Sequence, residues 1–301
     1  MKKVSVRLLG KIALVLMACV LACTFFACSE EEAEPTPVPT PEPTHKEPDL
    51  SPIYNIDYDP EQFIVTGSTL TEYIGSGGDV EIPNDITAIG PNAFAGASGV
   101  TSVTFPKTVT YIDSHAFEGC SGLTGVFTPP KFLTYVGDYA FKDCTGITEI
   151  AFENRLDGFG THVFEGCTGL VKATLPEKFI LPGATTVLPA YTFSGCSSLT
   201  DVTIFKEAVA VEDGAFENCT SLASITIPDK VKEMGKNVFA GCTSLSDITF
   251  SKVLYLIGGG SLNDTPWYTA KMDETRAAVA AAATEEEKMA AGFLTVGQNA
   301  V

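Results

Sequence analysis

Along most of the chain, apolar residues recur in short alternating runs set by an aliphatic anchor. Val100-x-x-Val103-x-Phe105, Leu123-x-x-Val126, Ile147-x-x-Ile150-x-Phe152 and Leu170-x-x-Ala173-x-Leu175 are the earlier ones; Leu199-x-x-Val202-x-Ile204, Leu222-x-x-Ile225-x-Ile227 and Leu245-x-x-Ile248-x-Phe250 follow. Alternate residues of an extended chain point to opposite faces, so each run predicts a short strand with one buried and one solvated side. Pro83, Pro106, Pro129, Pro176 and Pro228 end most of these strands. Proline has no N–H to give a ladder, which suits a corner leaving the sheet. A second apolar column follows at Ile89, Ile112, Val136, Phe159, Leu188, Val211 and Met234.

Between the strands lies a recurring turn, Phe-x-Gly/Asn/Asp-Cys-Ser/Thr-Gly/Ser-Leu/Ile. Its Phe stands at 117, 141, 164, 193, 216 and 239, with a Cys-less copy at Phe94. Successive Phe residues are 23, 24, 23, 29, 23 and 23 positions apart. So constant a period predicts a solenoid, in which each repeat is one coil. Phe is the large plug of each coil, and Gly96, Gly119, Gly166, Gly195 and Gly241 suit a left-handed backbone at its end.

Leu-x-x-Ile-x-Ile-Pro, then Val-x-x-Ile-Gly, then Ala-Phe-x-Gly-Cys-x-x-Leu resembles the BspA-like leucine-rich repeat, over roughly Val80 to Trp267. The resemblance implies a right-handed leucine-rich-repeat coil of short parallel strands, mostly β with short helical turns. It also implies a bacterial surface protein, since several members of that family are adhesins. Fold does not set the ligand, so no partner carries over.

The flanks complete the expected organisation. Residues 1–28 read as a secretory signal: Lys2, Lys3, Arg7 and Lys11 precede an apolar run to Ala27. Phe25-Phe26-Ala27-Cys28 resembles a bacterial lipobox, so the lipid is expected on Cys28. Cys23, after Val20-Leu21-Ala22, is the alternative, and Leu16-Met17-Ala18-Cys19 fits nearly as well. Residues 29–50, acidic and then rich in Pro and Thr, form a tether. Residues 51–78 form an N-terminal cap with a hairpin turn at Gly67-Ser68. Repeats fill 79–264, and 265–301 form a helical C-terminal cap. There Thr265-Pro266 starts a helix, Trp267 lids the last coil, Thr284 opens a second short helix and Phe293-Leu-Thr-Val makes a last strand.

Charge and motifs narrow the function. The formal net charge is −18, which disfavours nucleic acid, because phosphate binding needs a clustered basic patch. No Gly-x-Ser-x-Gly, Walker loop or His-Glu-x-x-His occurs, so neither enzyme chemistry nor a cofactor is expected. The six repeat cysteines read as buried thiols in a ladder, although equivalent Cα atoms about 5 Å apart leave disulfides open. His115 and His162, two residues before Phe, read as surface side chains rather than metal ligands.

The leading expectation is a monomeric, lipid-anchored envelope protein, on the outer membrane or cell surface, that binds an extracellular protein or glycan. A structural spacer without a specific ligand is the alternative. Two outward strand columns are the expected binding face. One holds Thr104, Phe127, Thr174, Thr203 and Thr226; the other includes Glu149. Phe127 is expected as an exposed aromatic anchor. Phe179 and Ile180, in the longer coil between Phe164 and Phe193, are a second candidate. The competing surface is the convex side with His115, Tyr139, His162 and Tyr191.

Overall fold

The computed structural model describes residues 59–152, 155–176 and 186–281. These all fall within one compact unit, Ile56–Val301. Two antiparallel strands come first, β1 (Phe63–Thr66) and β2 (Thr69–Tyr73), turning at Gly67 in the left-handed region. This is the expected hairpin. Two strand columns then alternate along the chain. The first holds β3 (Gly78–Glu81), β5 (Val100–Thr104), β7 (Gly125–Phe127), β9 (Ile147–Ala151), β11 (Lys172–Thr174), β13 (Asp201–Thr203), β15 (Ser224–Thr226) and β17 (Asp247–Thr249). The second holds β4 (Ala88–Ile89), β6 (Tyr111–Ile112), β8 (Tyr135–Val136), β10 (Gly158–Phe159), β12 (Val187–Leu188), β14 (Ala210–Val211), β16 (Glu233–Met234) and β18 (Leu256–Ile257). Each strand pairs in parallel with a strand of the neighbouring coil, and β2 pairs with β4, so the hairpin continues the second column. The result is a solenoid of about eight turns, as the period predicts, and of the leucine-rich-repeat type that the resemblance implies.

The core runs as parallel ladders between the two columns. Phe94, Phe117, Phe141, Phe164, Phe193, Phe216 and Phe239 are fully buried and stack ring on ring, with centroids 4.9–5.6 Å apart. Offset aromatic stacking adds about 0.5–1.5 kcal/mol per pair beyond area burial. At the N-terminal end Tyr73 of β2 stacks on Phe94 at 4.8 Å, and its hydroxyl accepts a hydrogen bond from the Gly77 N–H. The hairpin therefore supplies the ring that covers the first Phe.

All six repeat cysteines are buried and free. Each thiol donates to the carbonyl of a Phe in the coil before: Cys120 to Phe94, Cys144 to Phe117, Cys167 to Phe141, and likewise to Cys242 with Phe216, at 3.0–3.1 Å. The thiols thus serve as inter-coil hydrogen-bond donors. Burial pushes Cys120 and Cys167 up to about 12 and holds Cys144, Cys196 and Cys219 well above the ordinary thiol range.

At the other end, α1 (Pro266–Ala281) begins where the sequence places it. The Thr265 hydroxyl oxygen accepts the Tyr268 N–H at 3.2 Å, so Thr265 is the N-cap. Trp267 packs edge-on to Phe250 at 5.2 Å over the last coil. The Thr284 helix and the Phe293 strand lie outside the described residues. No helix among the described residues is long and apolar enough to cross a membrane.

Candidate functional site: the outward strand face

Residues of the first strand column that alternate with the core face solvent. Thr104, Thr174, Thr203, Thr226 and Thr249 are all exposed. Strand pairing sets Glu81 beside Thr104, Ala151 beside Thr174, Thr174 beside Thr203 and Thr226 beside Thr249. Parallel strands lie about 5 Å apart, so these side chains form a row at that spacing. In the adjacent row, Lys172 bonds Glu149 at 3.2 Å. The Asp79 carboxylate accepts from Ser102 at 2.6 Å and Thr101 at 2.9 Å, and these bonds, Ser102 first, hold its pKa below the usual range.

Phe127 does not belong to this row. It is buried, with its ring against Phe105, Phe117 and Phe141 at 4.9–6.1 Å. The expected exposed aromatic is a core residue, and Val126, expected inside, is 65% exposed. The cause is one extra residue. Gly125 has φ +75°, and the register slips between Gly125 and Val126, so that Phe127 lies opposite Ile150. Exposed Thr128 consequently takes the place in the row given to Phe127. The same slip makes Pro130 the corner residue: its carbonyl accepts the Leu133 N–H, as Pro106 accepts Val109 and Pro83 accepts Ile86. Phe179 and Ile180 lie outside the described residues.

On the competing surface His115 and His162 are partly exposed, as read from the sequence. His115, Tyr139, His162 and Tyr191 stack on one another with centroids 4.4–4.8 Å apart. All four adopt φ of +54° to +58°, as do Asn92 and Asn237 in the same column. His115 Nδ1 lies 2.5 Å from Glu118 Oε2, His162 Nδ1 lies 2.6 Å from Glu165 Oε2, and Lys142 reaches Glu165 at 3.6 Å. The imidazoles are held by stacking and by carboxylates, and the stacked rings turn their faces to each other rather than to a ligand. Asn and Gly in the column were a readable sign of a left-handed position.

The first strand column is not one continuous sheet. Its hydrogen-bonded groups are β3–β5, β7–β9–β11–β13 and β15–β17. A groove sits at each interruption. One, of about 480 Å³, is lined from β5 and β7 and by Lys107, Pro130 and Lys131. The other, of about 760 Å³, lies at β13 and β15 among Asp201, Asp229 and Asp247, with Lys230 bonded to Glu207 at 2.5 Å. No group of three or more His, Cys, Asp or Glu among the described residues could hold a metal ion.

A leucine-rich cell surface protein from Faecalibacterium prausnitzii A2-165 is 31% identical with a TM-score of 0.56, over 65% of this chain and 55% of that one. A leucine-rich repeat protein from Bacteroides ovatus ATCC 8483 is 29% identical with a TM-score of 0.42, over 62% of this chain and 58% of that one. The T. pallidum leucine-rich repeat protein is 24% identical with a TM-score of 0.49, over 72% of this chain and 94% of that one. The aligned region thus spans little more than half of the first two. No curated protein matches. The sequence profile of the BspA type leucine rich repeat region matches residues 73–180 and 177–283 in six copies, and with the stacked Phe and Cys ladders this makes the chain a member of the BspA-type leucine-rich repeat family.

Proposed function

We propose that the chain is an envelope-anchored recognition protein that binds an extracellular protein or glycan through its outward strand face. The lipid is carried by Cys28, with Cys23 the neighbouring choice, because Ala27-Cys28 stands where apolar sequence meets the acidic tether. The reading rests chiefly on one observation. Thr104, Thr128, Thr174, Thr203, Thr226 and Thr249 form an exposed hydroxyl row on a packed core. Short hydroxyl side chains lose little entropy when they bind, and the scaffold holds them in place beforehand. The cell-surface description of the F. prausnitzii relative is consistent with this setting.

The test uses the full chain extracted from membranes, with its intact mass reporting a lipid on Cys28. It is applied to immobilised extracellular matrix proteins and to a glycan array. Saturable binding to at least one, lost when Thr203 and Thr226 are both changed to Lys, is the expected result. Binding to neither, or binding indifferent to those changes, would favour the spacer reading.

A further inference from the structure

Three features mark the groove between β5 and β7. First, no ladder joins β5 to β7 among the described residues. The extra residue Gly125 displaces the start of β7, so across the seam regular pairing gives way to a single backbone bond from the Thr124 N–H to the Thr101 carbonyl at 3.3 Å. Second, Val126 stands at its wall, more exposed than any other large apolar side chain among the described residues. Third, the charge is inverted. The described lining holds Lys107 and Lys131 and no carboxylate, in a chain of formal net charge −18. The second groove also sits at a sheet interruption, but its described lining sets four carboxylates, Asp201, Glu207, Asp229 and Asp247, against two lysines, Lys206 and Lys230.

We propose that the β5/β7 groove binds an extended acidic peptide segment carrying an aliphatic side chain, a partner class within the recognition function on which this inference rests. The peptide main chain would lie along the groove over the seam, where the exposed hydroxyls of Thr101, Thr104, Thr124 and Thr128 stand within hydrogen-bonding reach of it. Its carboxylates would meet the Lys107 ammonium at the rim, beside Lys131, and its aliphatic side chain would cover Val126. A glycan fits less well. The lining aromatics are Phe105, half-buried, and Phe127, buried, and their rings pack edge-on in the core rather than offering a face to a sugar. Carboxylate–lysine attraction at an exposed rim governs association and salt dependence more than tight affinity.

The experiment is fluorescence anisotropy on the full chain in detergent. The probes are fluorescein-labelled Glu-Glu-Val-Glu-Glu, its Lys-Lys-Val-Lys-Lys counterpart and a sulfated oligosaccharide. The acidic peptide should saturate the protein below about 1 mM, with affinity falling as salt rises, and the basic peptide should not bind. Lys107→Glu should weaken binding about tenfold or more. Val126→Thr should weaken it about threefold. Both variants should keep the parent thermal midpoint. Absence of saturation by the acidic peptide, unchanged affinity in either variant, or binding of the oligosaccharide alone would overturn the proposal. If matrix or glycan binding through Thr203 and Thr226 persists in that event, only the groove assignment falls and the broader function stands.

Discussion

At the scale of single residues, the repeat cysteine does more than fill space. A small apolar residue would fit beside Phe, but the thiol also gives a donor to the neighbouring coil's carbonyl, as from Cys167 to Phe141 at 3.0 Å. Burial keeps it protonated, and this has a consequence for stability. A thiol titrates near 8.5 in the unfolded chain, whereas Cys120 and Cys167 are pushed up to about 12 in the fold. Between those values the unfolded state has lost protons that the native state retains, so stability falls as pH rises, by up to about 1.4 kcal/mol per pH unit for each thiol. Below the unfolded value that contribution is fully present. Urea midpoints measured from pH 8 to pH 12 should therefore decline, and the decline should be shallower in Cys167→Ala. A flat profile over that range would contradict the buried-thiol assignment.

At the scale of elements, β7 shows how one residue reassigns a whole strand. Side chains alternate with period two, so a slip of one position exchanges the core and solvent faces. The Phe117-to-Phe141 interval is one longer than its usual neighbours, and that single residue is the clue to the bulge. The spacing alone leaves open where in the coil the extra residue goes. Gly125 accepts it because φ +75° is strained for residues with a Cβ. Large, buried Phe127 then replaces a smaller residue in the core. Phe127→Ala should cost about 3–5 kcal/mol, measured by urea unfolding. A loss below 1 kcal/mol, on the order of an exposed position, would return Phe127 to the surface row. The aromatic turn column follows the same principle. Three ring stacks and two His–Glu bonds offset the strain of His115, Tyr139, His162 and Tyr191 at positive φ. The stack of rings ends at Gly214, where an added Cβ would lie 2.3 Å from the Tyr191 ring.

At the scale of the whole molecule, each coil is stabilised mainly by the coils on either side, so the two ends are the weak points of a solenoid. Tyr73 covers the first Phe, and Trp267 covers Phe250 while its backbone N–H donates to the Leu245 carbonyl at 3.0 Å. Trp267→Ala should speed hydrogen exchange across Leu245–Leu262 and leave the coils around Phe117 and Phe141 protected. Equal acceleration throughout would mean that the array unfolds as one unit and that Trp267 is not a local lid.

The period, the coil architecture, the hairpin, the helix start at Thr265-Pro266 and the burial of the Phe and Cys ladders were all determined by sequence. Each depends on near-neighbour chemistry repeated at a fixed interval: alternation for strands, left-handed glycine for turns, a capping hydroxyl before proline. The interruptions of the strand face, the exposure of Val126, the burial of Phe127 and the stacking of His115 on Tyr139 were decided only by tertiary structure. Each depends on how one coil registers against the next, and a one-residue insertion or a left-handed backbone changes that register without disturbing the periodic pattern that identifies the fold.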